Sequence, residues 1–250
     1  MTLYNDVQKY RRERRLKQDT VRTEGPSMKI IARIRTDFPS KFGIPRQSGI
    51  IDSLKAMIVF EPEYRNQDAL RGLEGFSHIW LIWEFSEALR DNWSPMVKPP
   101  RLGGNKRMGV FATRSPFRPN SIGLSSVRLE SIEMDSKLGP VLHVSGADLM
   151  DNTPIYDMKP YLPYTDCHPE AVGGFADAQM SYSLEVEFPE KLLLMIPEER
   201  REAILGVLAC DPRPSYQNDP DRMYGVEFSG LDVRFKVKDN NLTVYDVVPL

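Results

Sequence analysis

The chain of 250 residues has only two cysteines, three histidines and no long hydrophobic run. Two cysteines exclude a disulfide framework and suit a reducing compartment. Cys167 and His168 are adjacent, which is not the spacing of metal ligands, so we expect no metal. The longest apolar stretch, around residues 79–83, is far shorter than a membrane span. Residues 1–25 lack the apolar core of a secretory signal, so we expect a cytoplasmic protein that does not contact membranes.

Common motifs for nucleotide binding and hydrolysis are also absent. No Gly-x-Gly-x-x-Gly follows a strand, and the glycines of residues 103–109 are not followed by the Lys-Ser/Thr pair of a phosphate-binding loop. The sequence contains no Gly-x-Ser-x-Gly and no His-Glu-x-x-His. These absences exclude a Rossmann site, a Walker-type NTPase, an α/β-hydrolase and a zinc protease.

Acidic residues are missing from residues 92–129, although the whole chain has a net charge of −2. Basic residues are nevertheless frequent there: Lys98, Arg101, Lys106, Arg107, Arg114, Arg118 and Arg128. Arginines on backbone held by Gly and Pro are suited to phosphates and carboxylates. We therefore expect a polyanionic partner, with nucleic acid as the first candidate.

Short apolar runs separated by turn residues predict a mainly β fold, a sandwich or a barrel, over residues 28–177. The predicted strands cover residues 29–34, 56–60, 79–85, 108–112, 124–132 and 141–144, with a helix over 64–73. Residues 178–250 are predicted to form a small α+β domain, with strands over 180–188, 226–228, 233–237 and 242–248 and a helix over 197–209.

Residues 1–27 are predicted to be a charged tail. Leu3, Val7 and Tyr10 have helical spacing, and residues 11–15 are strongly charged. A partly helical, solvated tail is the simpler interpretation. A basic arm that adds phosphate contacts is the alternative.

Three polar, turn-rich segments each follow a predicted strand, so we expect them to form one rim. They span residues 36–47, 111–123 and 148–161. Together they offer arginines and carboxylates that would suit a small zwitterionic molecule with an additional cation. Each segment alone would be interpreted as a stable turn carrying surface charge.

Six motifs, in order, resemble the TsaA-like family of tRNA methyltransferases. They lie at residues 37–47, 72–80, 99–104, 109–123, 148–151 and 157–164, and residues 211–216 resemble the family's C-terminal signature. The resemblance implies an S-adenosylmethionine-dependent enzyme built on a β-barrel rather than a Rossmann sheet. It implies methylation of N6 of threonylcarbamoyladenosine at position 37 in the tRNA anticodon stem-loop, by a homodimer whose cofactor lies near the subunit interface.

The resemblance also assigns site residues. The expected cofactor contacts are Pro45, Arg46, Gln47, Ser86, Glu87, Arg114, Ser125, Asp148, Leu149, Met150 and Asp151. The expected tRNA contacts are Lys98, Arg101, Lys106, Arg107, Arg118, Arg213 and Tyr216, with Arg118 or Arg107 on the threonyl carboxylate. Phe117 and Tyr216 are candidates for stacking on unpaired bases.

The nitrogen to be methylated is a poor nucleophile, because a purine ring and a carbonyl both withdraw its electrons, so a base should help. Asp148, Asp151 and Asp157 are unranked candidates. Two other functions remain open: a sensor that binds S-adenosylmethionine or RNA without methyl transfer, and a methyltransferase with another substrate.

Overall fold

A computed structural model describes residues 28–89, 92–99, 106–179, 182–213 and 219–250. Six antiparallel strands form a closed barrel in the order β1-β2-β7-β6-β3-β8. These strands are β1 (Ala32–Arg35), β2 (Lys55–Phe60), β3 (His78–Glu84), β6 (Ile122–Asp135), β7 (Gly139–Ser145) and β8 (Pro154–Pro160). β1 pairs with both β2 and β8, which closes the sheet. The prediction of a mainly β protein is confirmed.

The barrel interior is filled by alternate residues of each strand, as the period of two in a β-strand requires. In β3, Ile79, Leu81 and Trp83 are buried, and the residues between them are only partly buried. Val127 of β6 faces the same apolar cluster. The side chains of β3 with even numbers therefore lie on the outer face.

The three polar segments meet at one end of the barrel. The pairings of Arg35 with Met57, Lys55 with Ser145, and Glu84 with Ile122 show that β1, β7 and β3 all end there. The connections 36–54, 85–121 and 146–153 consequently share one rim, as expected. The connection 85–121 also contains a two-stranded ribbon of β4 (Met96–Val97) and β5 (Met108–Gly109).

The rest of the chain forms a second sheet, in the order β10-β11-β12-β9. Its strands are β9 (Glu185–Glu187), β10 (Tyr224–Phe228), β11 (Leu231–Lys238) and β12 (Asn241–Pro249). The helices are α1 (Pro163–Asp166), which follows β8, and α2 (Glu190–Leu193) and α3 (Glu198–Ala209), which accompany the second sheet. Helix α3 begins after Pro197 and buries Ala203, Ile204, Val207 and Leu208 in the second core.

Two local predictions were wrong. Residues 64–73 do not form a helix but lie among 3₁₀ turns at Pro62–Tyr64, Gln67–Leu70 and Leu73–Gly75. The Asn66 side chain accepts a hydrogen bond from the Asp68 N–H, and Gly72 is left-handed with φ of 89°, so no continuous helix forms. The strand expected over 108–112 ends at Gly109 and is followed by a 3₁₀ turn at Val110–Ala112.

The third polar segment, described from the sequence as turn-rich, is only partly a connection. Its second half is β8, which pairs with β1 and β3 and buries Ile155 in the barrel core. Proline at both ends of β8 resembles loop composition in the sequence, but both prolines occupy strand termini, where a missing N–H is tolerated.

No helix in the described part of the chain has the length and apolar composition of a membrane span. The predicted tail, residues 1–27, lies outside the described residues.

The connection 36–54 is anchored in the second core through Phe38, which is 1% exposed and packs edge-on against Phe228 at 5.4 Å. We predict that Phe38→Ala lowers the free energy of unfolding by about 3–5 kcal/mol, because a buried phenylalanine leaves a cavity. The matched variant Phe42→Ala removes a half-exposed ring from the same connection and should change stability by less than about 0.5 kcal/mol. Urea titrations of both variants measure the difference, and equal losses would contradict the anchoring role.

Candidate functional site

A hydrogen-bonded chain of three side chains lies at the rim end of the barrel. The Trp83 indole N–H donates to Ser125 Oγ at 3.0 Å, and the Ser125 hydroxyl donates to Asp148 Oδ1 at 2.5 Å. Trp83 and Ser125 face the interior from neighbouring strands, and Asp148 follows β7. These two hydrogen bonds therefore connect the apolar interior of the barrel with the rim.

Gly123 provides the space that Trp83 occupies. A Cβ at this position would lie 2.2 Å from Cε2 of the Trp83 indole, closer than van der Waals contact allows. Gly123 pairs with Trp83 across β6 and β3. The absence of a side chain at position 123 of β6 thus leaves room for the indole ring that donates to Ser125.

Asp148 is a carboxylate withdrawn from solvent. Burial raises its pKa above the ordinary value, whereas hydrogen bonds from Ser125, its own backbone and Ser48, together with the charge of Arg114, act in the opposite direction. The shift shows that these partners only partly replace the lost hydration of the charged form. A further positive charge would therefore be favoured beside Asp148.

The first and second rim segments meet at Gln47 and Arg114. The Arg114 guanidinium donates to Gln47 Oε1, and the Gln47 side-chain amide donates to the Arg46 carbonyl. Arg46 and Arg114 are exposed, whereas Pro45 is buried. Because Arg114 donates to Gln47 and its charge acts on Asp148, the structure brings predicted residues from all three segments together.

Asp151 and Asp157 occupy different surroundings. Asp151 Oδ1 accepts from the Thr36 N–H at 3.1 Å, and its Oδ2 lies 3.5 Å from the Arg35 guanidinium, so it joins the first and third segments. Asp157 lies within β8 opposite Ile82, on the outer face of the sheet, with Oδ2 3.0 Å from Lys159 Nζ. Within one chain, Asp157 therefore faces away from the barrel interior, to which Asp148 is tied through Ser125.

The other predicted cofactor residues surround the same rim. Leu149 is buried in the barrel core, so its side chain does not face a ligand, and the Met150 carbonyl accepts from the Thr153 hydroxyl. Ser86 and Glu87 lie in a 3₁₀ turn, Ser86–Ala88, that directly follows β3 at the rim.

The predicted tRNA contacts are distributed over two places. Lys98, Lys106 and Arg107 flank the β4–β5 ribbon, and the Arg118 guanidinium donates to the Thr113 carbonyl at 3.1 Å. Arg213 lies elsewhere: its side chain is 8% exposed and forms a two-pronged ion pair with Asp211, at 2.8 and 2.9 Å. This placement does not support phosphate contact by Arg213, because the guanidinium is already buried and paired. Arg101 and Tyr216 lie outside the described residues.

Sequence reasoning missed Trp83 and Ser48. Trp83 was included only in a predicted strand, and Ser48 directly follows the predicted motif. The sequence of β6 contains a signal for Trp83. Gly123 and Ser125 occupy inward positions there that the alternating pattern would otherwise assign to large apolar residues, which indicates space for a large side chain from a neighbouring strand. In the described parts of the chain, no group of three His, Cys, Asp or Glu side chains is arranged to hold a metal ion.

The fold and the site define a barrel protein with a polar site at its rim and a second, smaller sheet that packs on one rim segment. The family model for the tRNA-methyltransferase O N-terminal domain matches residues 33–167, and the model for the TrmO C-terminal domain matches residues 181–250. The chain therefore belongs to the tRNA-methyltransferase O family, as the motifs indicated.

Relatives along nearly the whole length agree. The tRNA (adenine(37)-N6)-methyltransferase of Escherichia coli K12 is 39% identical over 227 residues, which cover 88% of this chain and 96% of that protein. A Pseudomonas aeruginosa protein, named as a candidate S-adenosylmethionine-dependent methyltransferase, is 42% identical over 84% of this chain and 91% of its own length. The crystal structure of TrmO from Pseudomonas aeruginosa superimposes with a TM-score of 0.72, at 35% identity, over 90% of this chain and 100% of that chain.

The raised pKa of Asp148 predicts a characteristic pH dependence. A raised folded-state pKa means that the contribution of Asp148 to stability is fully present below the unfolded-state pKa and is lost as pH rises through the folded-state pKa. At neutral pH, Asp148→Asn should therefore be at least as stable as the parent chain. Any gain in the free energy of unfolding should become smaller as the pH is lowered. Thermal unfolding midpoints across the acid-to-neutral range measure this.

Asp135→Asn is the matched control with the opposite sign. Backbone N–H donors of Leu138 and Lys137 lower the pKa of Asp135, so its contribution is present above the unfolded-state pKa and is lost as pH falls through the folded-state pKa. This variant should lose stability at neutral pH. A destabilised Asp148→Asn chain at neutral pH would contradict the desolvation argument.

Proposed function

We propose that this chain is an S-adenosylmethionine-dependent tRNA methyltransferase that methylates N6 of threonylcarbamoyladenosine at position 37, beside the anticodon. The observation that carries the proposal is the convergence of Gln47, Arg114, Ser125 and Asp148 at one rim of a barrel. The names of the full-length relatives support the reaction and the adenine target.

The residues at the rim fit the chemistry of the cofactor. S-adenosylmethionine supplies a methyl group that is already activated on a sulfonium centre. Arg114 would hold the cofactor's carboxylate through its guanidinium. Asp148, whose burial leaves its negative charge incompletely compensated, suits the cofactor's ammonium or sulfonium charge or its ribose hydroxyls.

Positioning is the main contribution expected from the protein, because an activated methyl group chiefly requires an in-line approach without water. The Trp83–Ser125–Asp148 chain is suited to this, since the carboxylate is held by an interior hydroxyl. Among the three candidate bases, Asp148 has the best support: its pKa is raised, whereas Asp151 holds the Thr36 backbone and Asp157 lies on the outer face. Asp148 then either accepts the proton from the target nitrogen or compensates the cofactor's charge.

The tRNA is proposed to approach along the β4–β5 ribbon, where Lys98, Lys106 and Arg107 would meet phosphates. Arg118, which is partly buried beside Thr113, is proposed to bind the threonyl carboxylate. A homodimer located in the cytoplasm completes the proposal, together with the division of the chain into a tail of residues 1–27, a barrel domain of 28–177 and a C-terminal domain of 178–250.

Labelled methyl transfer tests the reaction. Total tRNA from cells lacking this protein is incubated with the full chain and labelled S-adenosylmethionine, and the nucleosides are separated by mass spectrometry. Label in threonylcarbamoyladenosine of position 37 is expected. Label in another nucleoside would indicate a different substrate, and binding of S-adenosylmethionine without any label would indicate a sensor.

We predict that Arg114→Ala weakens S-adenosylmethionine binding by about tenfold or more, because a charge-assisted hydrogen bond is lost. Isothermal calorimetry measures the dissociation constant. Arg71→Ala is the control, since Arg71 is exposed beside Asp68 at the opposite end of the barrel. An unchanged affinity in Arg114→Ala would exclude Arg114 from the cofactor site.

Lys106→Ala should weaken tRNA binding and make it less sensitive to salt. Loss of one phosphate contact reduces the slope of log affinity against log salt by about one. Lys137→Ala, in the exposed β6–β7 turn at the other end of the barrel, should leave the slope unchanged. Equal slopes for Lys106→Ala and the parent chain would place the tRNA elsewhere.

A further inference from the structure

Two aromatic side chains lie exposed beside the rim and next to each other. The rings of Trp93 and Phe111 have centroids 6.0 Å apart and planes tilted by 30°, and the residues are 51% and 72% exposed. Neither belongs to the two hydrophobic cores formed by the described residues. Large apolar side chains that remain this exposed in a cluster commonly mark an interaction site.

The backbone under these rings is firmly attached. Val110, immediately before Phe111, is 1% exposed, and its N–H donates to the Pro95 carbonyl at 2.9 Å. The Thr113 hydroxyl donates to the Val110 carbonyl at 2.8 Å and closes the turn. The exposed rings are therefore held on an ordered backbone next to the β4–β5 ribbon, so that binding would cost little ordering entropy.

The charged side chains described at the ends of the β4–β5 ribbon have one sign. Lys98 follows β4 and Lys106 and Arg107 precede β5, so the strand register, continued by one residue, places Lys98 opposite Arg107. The ion pairs found among the described residues do not include any of these three cations. Residues 92–129 contain no acid that could neutralise them locally. This positively charged environment favours a polyanion, and not an apolar protein surface, as the partner of the two rings.

From these observations we infer that Trp93 and Phe111 form a stacking platform for an unpaired base of the RNA substrate. An aromatic face flanked by cations is the combination by which proteins bind single-stranded nucleic acid, since bases stack on the ring while phosphates meet the charges. The inference rests on the proposed function, because it assumes an RNA substrate. It adds to the predicted stacking residues, Phe117 and Tyr216, a ring pair that the structure places beside the ribbon.

Direct binding measurements test the platform separately from methyl transfer. The probe is an unmodified anticodon stem–loop RNA, compared by fluorescence anisotropy with the same stem closed by abasic loop nucleotides. Trp93→Ala and Phe111→Ala should each weaken binding to the intact loop by about tenfold and leave binding to the abasic loop nearly unchanged. Trp93→Phe and Phe111→Tyr, which keep an aromatic face, should retain most of the affinity.

Tyr245→Ala is a matched control, because Tyr245 is an exposed ring with Lys236 Nζ 5.8 Å from its centroid, but lies on β12 of the second sheet. It should bind both RNAs like the parent chain. Equal affinity of the alanine variants and the parent for the intact loop would overturn the inference. A parent chain that binds no RNA would also overturn the inference. Variants that change only the oligomeric state would overturn it too, because they would show that the rings form a protein interface.

The outcomes separate the two proposals. A parent chain that transfers no methyl group but binds the stem–loop through these rings would refute the proposed reaction and support the platform. A chain that methylates tRNA with no dependence of loop binding on Trp93 or Phe111 would refute only the platform.

Discussion

The position of the first rim segment depends on Phe38, where the two units of the chain meet. Its ring packs in the second core against Phe228, while its carbonyl accepts from the Asp151 N–H at 2.8 Å. Asp37, the preceding residue, strengthens the junction by two contacts. Its backbone carbonyl accepts from the Ser229 N–H, and its side-chain Oδ2 lies 3.1 Å from Arg200 Nε without the alignment of a hydrogen bond. The second unit thus has a physical role at the candidate site, since it holds the segment that presents Arg46 and Gln47.

Close packing between the units also explains a glycine within that segment. Gly43 has φ of 82°, and a Cβ there would lie 2.2 Å from Cγ2 of Val226 in β10. The segment can therefore approach the second sheet this closely only because residue 43 has no side chain. From this fixed point the chain runs through buried Pro45 to Ser48, whose backbone hydrogen-bonds to Asp148. One path of contacts thus links the second sheet to the desolvated carboxylate.

Sequence reasoning succeeded where a side chain's neighbours follow from periodicity or from a compact motif. The rim grouping of Arg114, Gln47 and Asp148 could be predicted because three motif-bearing segments each follow a strand. It did not reveal the position of Asp157, because proline and aspartate concealed a strand whose register turns that carboxylate outwards. It also missed the Trp83–Ser125 contact, which depends on the pairing register of β3 with β6 and on the space above Gly123. The ion pair of Arg213 with Asp211 could not be predicted either, because burial of a side chain is a tertiary property.

The absence of acids from residues 92–129 has two different physical consequences along that stretch. Around Arg114, an acid from the same segment would compete with external carboxylates for the guanidinium, whose described partner is instead the neutral amide of Gln47. Along the ribbon, an acid beside Lys98 or Arg107 would neutralise the positive field that is proposed to attract phosphates. The one desolvated carboxylate of the site comes from another segment, and its hydrogen bonds to Ser125 and Ser48 hold it in place. Under the proposed function, this separation lets a single rim accept a zwitterion at one position and a polyanion at the next, because the acid comes from the connection 146–153 and the cations come from the acid-free stretch of 92–129.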